Sequence, residues 1–61
     1  MPKVIIEMCP GRTLEQKREL AKRITEDVAD VAKVSKNDVH IIIHENAKEN
    51  LAQGGVLFCD L

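Results

Sequence analysis

Two runs of β-branched residues, Val4-Ile5-Ile6 and Ile41-Ile42-Ile43, decide most of what this chain can become. Successive side chains of a strand point to opposite faces, so a strand built on either run is apolar on both. A single stretch of helical periodicity lies between them, and one helix covers only one face of a sheet. The other face needs a cover that 61 residues do not contain. A chain of this size buries only about 60% of the surface its unfolded form exposes, and its core rarely supplies more than ~3–5 kcal/mol. Disulfides, a metal or partner subunits usually supply the rest. Two cysteines, Cys9 and Cys59, are too few for a disulfide scaffold and read as reduced, inert thiols. No clustered ligands call for a metal. Self-association remains.

The remaining elements follow from local signals. Lys3 to Met8 reads as the first strand, and Cys9-Pro10-Gly11-Arg12 breaks it. Thr13 opens a helix, its hydroxyl capping the first turn while Gln16 takes the reciprocal place in a capping box. From Leu14 to about Lys33, the residues Leu20, Ile24, Val28 and Val31, widened by Ala21 and Ala32, form one apolar stripe. Glu19 with Arg23 and Lys22 with Glu26 are spaced to pair on the opposite, solvated face. A turn over Ser35-Lys36-Asn37-Asp38 leads into a second strand, Val39 to Glu45. Strand, helix, strand predicts a βαβ unit, with parallel strands and a right-handed crossover. Asn46 to Leu61 reads as an irregular loop with a small β element after Gly54-Gly55. The expected class is therefore α/β: a single domain over residues 1–61 with two parallel strands, one amphipathic helix and a small C-terminal β element, completed by oligomerisation.

Several functions are disfavoured. Nine basic and ten acidic residues are interleaved along the chain, and its only aromatic is Phe58. Neither a basic stripe for a phosphate backbone nor a stacking platform for bases is present, so nucleic acid is not an expected partner. No apolar run approaches the ~20 residues that span a bilayer, so a membrane is not expected either. The chain reads as cytoplasmic.

Pro2 admits two readings. A proline is tolerated at the first residue of a strand, where its missing N–H does no harm. Alternatively, removal of Met1 leaves a secondary amine held in a rigid ring at the lip of a sheet, and such a group can act as a base. While Met1 stays attached, that nitrogen is a tertiary amide with no usable lone pair. Arg12 is a solvated residue before a helix or a guanidinium waiting for a carboxylate. His40 and His44 lie four apart on a strand, about 13 Å, whereas zinc takes nitrogens at ~2.0–2.1 Å. One chain cannot chelate with both, and neither a metal nor a cofactor is expected.

In order and spacing, Met-Pro, a strand, "GRTLEQKREL", an amphipathic helix, "VHIIIHE" and "ENLAQGG" resemble the 4-oxalocrotonate tautomerase family over essentially the whole chain. The stretch "IHENAKEN" is similar to a branch with an "IHE…EN" signature. The resemblance implies a dimer of βαβ units, usually assembled into a hexamer whose dimers touch through the tail element. It implies transfer of a proton between carbon and oxygen in the enol or dienol of a 2-oxo acid, with Pro2 as catalytic acid and base. Arg12, His40 and Leu51 fall at substrate-binding positions.

Physical reasons link these residue types to that chemistry. A general base works best with a pKa near the working pH, and a proline amine is more basic than that. Burial and a neighbouring guanidinium both disfavour its cation. Arg12 is the candidate for that cation, and its planar fork also suits a carboxylate. His40 stands where the archetype has a second arginine, and an imidazole is shorter and only partly charged near neutrality. Leu51 replaces a common aromatic on the pocket wall, and Ala52-Gln53 alters the adjoining loop. These departures leave open a non-catalytic oligomeric scaffold or small-molecule binder on the same fold. Hydration or decarboxylation by the same proline also stays open.

Overall fold

All 61 residues are described by the computed structural model. Strand β1 (Lys3–Met8), helix α1 (Leu14–Ala32) and strand β2 (His40–Glu45) make the βαβ unit that the sequence predicts. β1 and β2 pair in parallel, with Lys3 beside His40, Ile5 beside Ile42 and Met8 beside Glu45. The capping box forms in full. Thr13 Oγ1 accepts from the Gln16 amide at 3.1 Å, and Gln16 Oε1 accepts from the Thr13 amide at 2.8 Å. At the other end Lys33 turns left-handed, with φ 58°, and the amides of Lys33 and Val34 both donate to the Ala29 carbonyl. On the outer face Arg23 pairs with Glu19 at 2.9 Å and Arg18 pairs with Glu15, while Lys22 and Glu26 make no ion pair.

Alternation divides the sheet. Val4, Ile6, Met8, Ile41 and Ile43 are half-buried on the helix side. The other side carries Lys3, Ile5 and Glu7 beside His40, Ile42 and His44, all exposed. Ile5 is 56% exposed and Ile42 37%, which is wrong for a finished parallel sheet, normally covered on both faces. No residue of the isolated chain is buried. Its radius of gyration is 14.7 Å, against about 10.5 Å for a compact chain of this length. Two layers are present where a core needs a third.

The helical stripe is shorter than the periodicity predicts. Leu20, Ala21, Ile24 and Val28 face the sheet, but Val31 is 80% exposed, and Ala32 is exposed too. Length explains this. Nineteen helical residues rise about 28 Å, whereas strands of six residues span about 20 Å, so the end of α1 overhangs the sheet.

The tail is more regular than expected. Strands β3 (Ala52–Gln53) and β4 (Val56–Leu57) form a tight antiparallel hairpin, flanked by 3-10 turns over Lys48–Asn50 and Phe58–Asp60. Gly54 and Gly55 occupy its two central positions with φ 61° and 86°, the pair of positive values that such a hairpin requires. Val56, Leu57 and Leu61 remain exposed.

Two outcomes follow from this packing. Thr13→Ala removes half of the capping box and should cost about 1 kcal/mol, read as a lower urea midpoint at fixed protein concentration. The melting temperature of the wild type should rise with protein concentration, as it does when folding is linked to association. Ile42→Glu, placed in the middle of the open face, should abolish that dependence and lower the sedimentation coefficient.

Candidate active site

Parallel pairing gives the sheet two unlike poles. At the first, Pro2 sits half-buried just ahead of β1, and its carbonyl accepts from the His40 amide at 3.0 Å. That bond adds a rung to the ladder and fixes the start of the chain beside the start of β2. Alternation turns Lys3 and His40 together onto the open face.

The second pole lies about 20 Å away, the rise of the strand from Pro2 to Met8. Here Cys9 to Arg12 leads the chain from β1 into α1, with Gly11 at φ 122°, a conformation closed to most side chains. An open groove of about 240 Å³ is lined by Met8, Arg12, Gln16, Lys17 and Leu20. Arg12 is exposed and has no carboxylate partner. Lys17 is engaged: its Nζ lies 2.6 Å from Glu45 Oε1, joining the first turns of α1 to the end of β2.

A second groove, about 290 Å³, shares Met8 with the first and adds Glu7, Cys9, Asn46 and Leu51. Asn46 Nδ2 donates to Glu7 Oε1 at 3.4 Å, and the same oxygen stands 3.9 Å from His44 Nδ1. Leu51 is half-buried and supplies an aliphatic wall. Ala52 and Gln53 belong to the hairpin and line neither groove.

Within one chain, then, Pro2 and His40 share one pole, while Arg12 and Leu51 flank Met8 at the other. The two pairs do not meet. Lys17 and Glu45 are features of this pole that the spacing of residues does not reveal, because they pair across 28 positions. The only sequence signal is that Lys17 lies little more than one helical turn beyond Arg12.

Arg12, beside the apolar Met8 and Leu20, can take an anion, since a free guanidinium offers a planar fork of donors. Nowhere does the fold gather three His, Cys, Asp or Glu side chains able to hold a metal ion. Both cysteines are free thiols. No helix is long and apolar enough to cross a membrane.

The sequence and the fold have counterparts among known proteins. The family described as tautomerase enzyme matches residues 2–61. A probable tautomerase of Listeria monocytogenes serotype 4b is 39% identical over 61 residues, covering 100% of both chains. Among solved structures, YwhB, a homologue of 4-oxalocrotonate tautomerase, superposes with a TM-score of 0.91 at 35% identity over 98% of each chain. A chain of a heterohexameric 4-oxalocrotonate tautomerase from Chloroflexus aurantiacus gives 0.86 at 33% identity, covering 100% of this chain and 98% of that one. Agreement of sequence and fold over the full length shows that this chain belongs to the tautomerase family and has the 4-oxalocrotonate tautomerase fold.

Proposed function

We propose that this chain, in a homo-oligomer, is an isomerase that converts the enol of a 2-oxo acid to its ketone, with the amine of Pro2 as acid and base. The observation that carries the reading is the split of the candidate residues between two poles of a chain with an uncovered face. A copy turned end for end brings the second pole of one chain toward the first pole of another. The same contact that covers Ile5 and Ile42 can then complete a site. A heterohexameric relative supports assembly of this kind, and hexamers built from dimers are the expected form.

In this reading Met1 is removed, and the free nitrogen of Pro2 accepts the proton of the enol hydroxyl. The O–H bond breaks, the carbonyl forms at the second carbon, and the electron pair moves along the conjugated chain. The proline cation then delivers the proton to carbon, so a C–H bond replaces the O–H bond with no net redox change. Arg12 of a neighbour holds the carboxylate and disfavours the proline cation, which keeps the amine available as a base. His40 hydrogen-bonds the oxo oxygen, and Leu51 helps to exclude water.

Four measurements test this. Intact mass of protein taken from its own cell should lack Met1; a chain that keeps it favours a binding scaffold instead. Pro2→Ala should slow ketonisation of a 2-oxo acid enol by about 100-fold or more, the usual contribution of a general acid–base group. Arg12→Ala should raise KM about tenfold or more, because charge-assisted hydrogen bonds contribute roughly 1.5–3 kcal/mol. Refolding the two variants together should restore a population of sites with the wild-type KM, since some sites then combine an intact Pro2 with an intact Arg12 from another chain. Mixtures in which only the raised KM of Arg12→Ala is seen would defeat the shared site.

A further inference from the structure

The distribution of charge around Arg12 narrows the substrate, and this step rests on the isomerase reading above. We propose that the site takes enols of 2-oxo acids with one carboxylate and an apolar tail, and that Glu45 sets this preference by neutralising Lys17. A substrate with carboxylates at both ends needs two uncommitted cations. The groove beside α1 contains two cations, but only Arg12 is without an acidic partner.

Lys17 is held by Glu45 at 2.6 Å, with their side chains only 27% and 34% exposed. Partial removal from water strengthens such a pair and makes it harder for a ligand to displace. Across Met8, the adjoining groove presents the carboxylate of Glu7, which repels a second anion. What the two grooves offer otherwise is Met8, Leu20 and Leu51. At the opposite pole the open face carries Lys3 and His40. In an end-for-end copy Lys3 comes toward Glu7 of the facing chain, and the imidazole of His40 is a short and weak substitute for a guanidinium. One firm grip on an anion, followed by aliphatic surface, fits a monocarboxylate with a hydrocarbon end.

Glu45 acts here through Lys17, as a positioning residue for charge. Its removal should free an ammonium group in the groove and admit the second carboxylate. The pair also ties α1 to β2, so loss of the tether must be separated from gain of charge. Two matched six-carbon dienols serve as probes, one ending in methyl and the other in a second carboxylate.

Wild type should show the higher kcat/KM for the methyl-ended dienol. Glu45→Gln should shift the ratio about tenfold toward the diacid, chiefly through KM for the diacid. The double variant Lys17→Gln/Glu45→Gln loses the tether but keeps the net charge, and should return to the wild-type ratio. A wild type that prefers the diacid overturns the proposal. So does an unchanged ratio in Glu45→Gln, or a double variant that shifts as far as the single one. Pro2→Ala separates the two levels of failure. If it abolishes turnover of both dienols while the ratio is reversed, only the substrate preference falls; if it leaves both rates intact, the isomerase reading falls and takes the preference with it.

Discussion

Parallel pairing of β1 with β2 is the constraint on which the rest depends. Two parallel strands point their starts to one pole and their ends to the other. The chain must therefore return along a crossover, and α1 is that crossover. Its apolar stripe is used up on the face carrying Val4, Ile6, Ile41 and Ile43. The same geometry sends Pro2 and His40 to one end of the sheet, while Arg12 and Leu51 gather around Met8 at the other. Short strands keep the poles about 20 Å apart, so no side chain reaches from one to the other.

Stability and chemistry consequently face the same deficiency. An isolated chain buries no residue, exposes Ile5 and Ile42, and holds its candidate acid–base group far from its candidate anion-binding group. Each deficiency calls for another copy. A face-to-face contact between copies running in opposite directions also sets Lys3 and His40 of one chain toward Glu7 of the other, so charge favours the end-for-end arrangement over a parallel one. In the proposed oligomer, folding, assembly and completion of the site are linked because one surface serves all three.

What the sequence disclosed, and what it did not, divides along the same line. β1, the Thr13–Gln16 capping box, the parallel βαβ order and the glycine-centred turn of the tail depend on neighbours in the chain, and local pattern was enough to read them. Val31 lies on the apolar stripe but beyond the sheet, because periodicity reports which face a residue lies on and not whether the partner sheet extends that far. The tail hairpin was only half visible: two glycines announced a turn, yet strands of two residues have no periodicity to detect. Lys17 and Glu45 were each legible as charged residues on ordered elements, but their meeting depends on how α1 lies across β2. Separation of Pro2 from Arg12 was implicit in the strand between them, and it became informative only once the direction of both strands was fixed.

The state of Arg12 depends on its surroundings more than on its own position. Arg12 has no carboxylate partner, and the acidic side chains around its pole are engaged elsewhere. Glu15, in the first turn of α1, is paired with Arg18; Glu45 is taken by Lys17; Glu7 accepts from Asn46 and faces His44. The capping box also matters, because Gln16 spends its side-chain oxygen on the Thr13 amide and so does not turn it toward the guanidinium. The solvated pairs among these, such as Glu15 with Arg18, add little to stability individually. Their shared effect is to leave one cation without a partner, beside apolar side chains, at the mouth of an open groove. A candidate anion-binding group thus stands where its competitors are satisfied, and the salt bridges of α1 decide how much charge is left to meet Arg12.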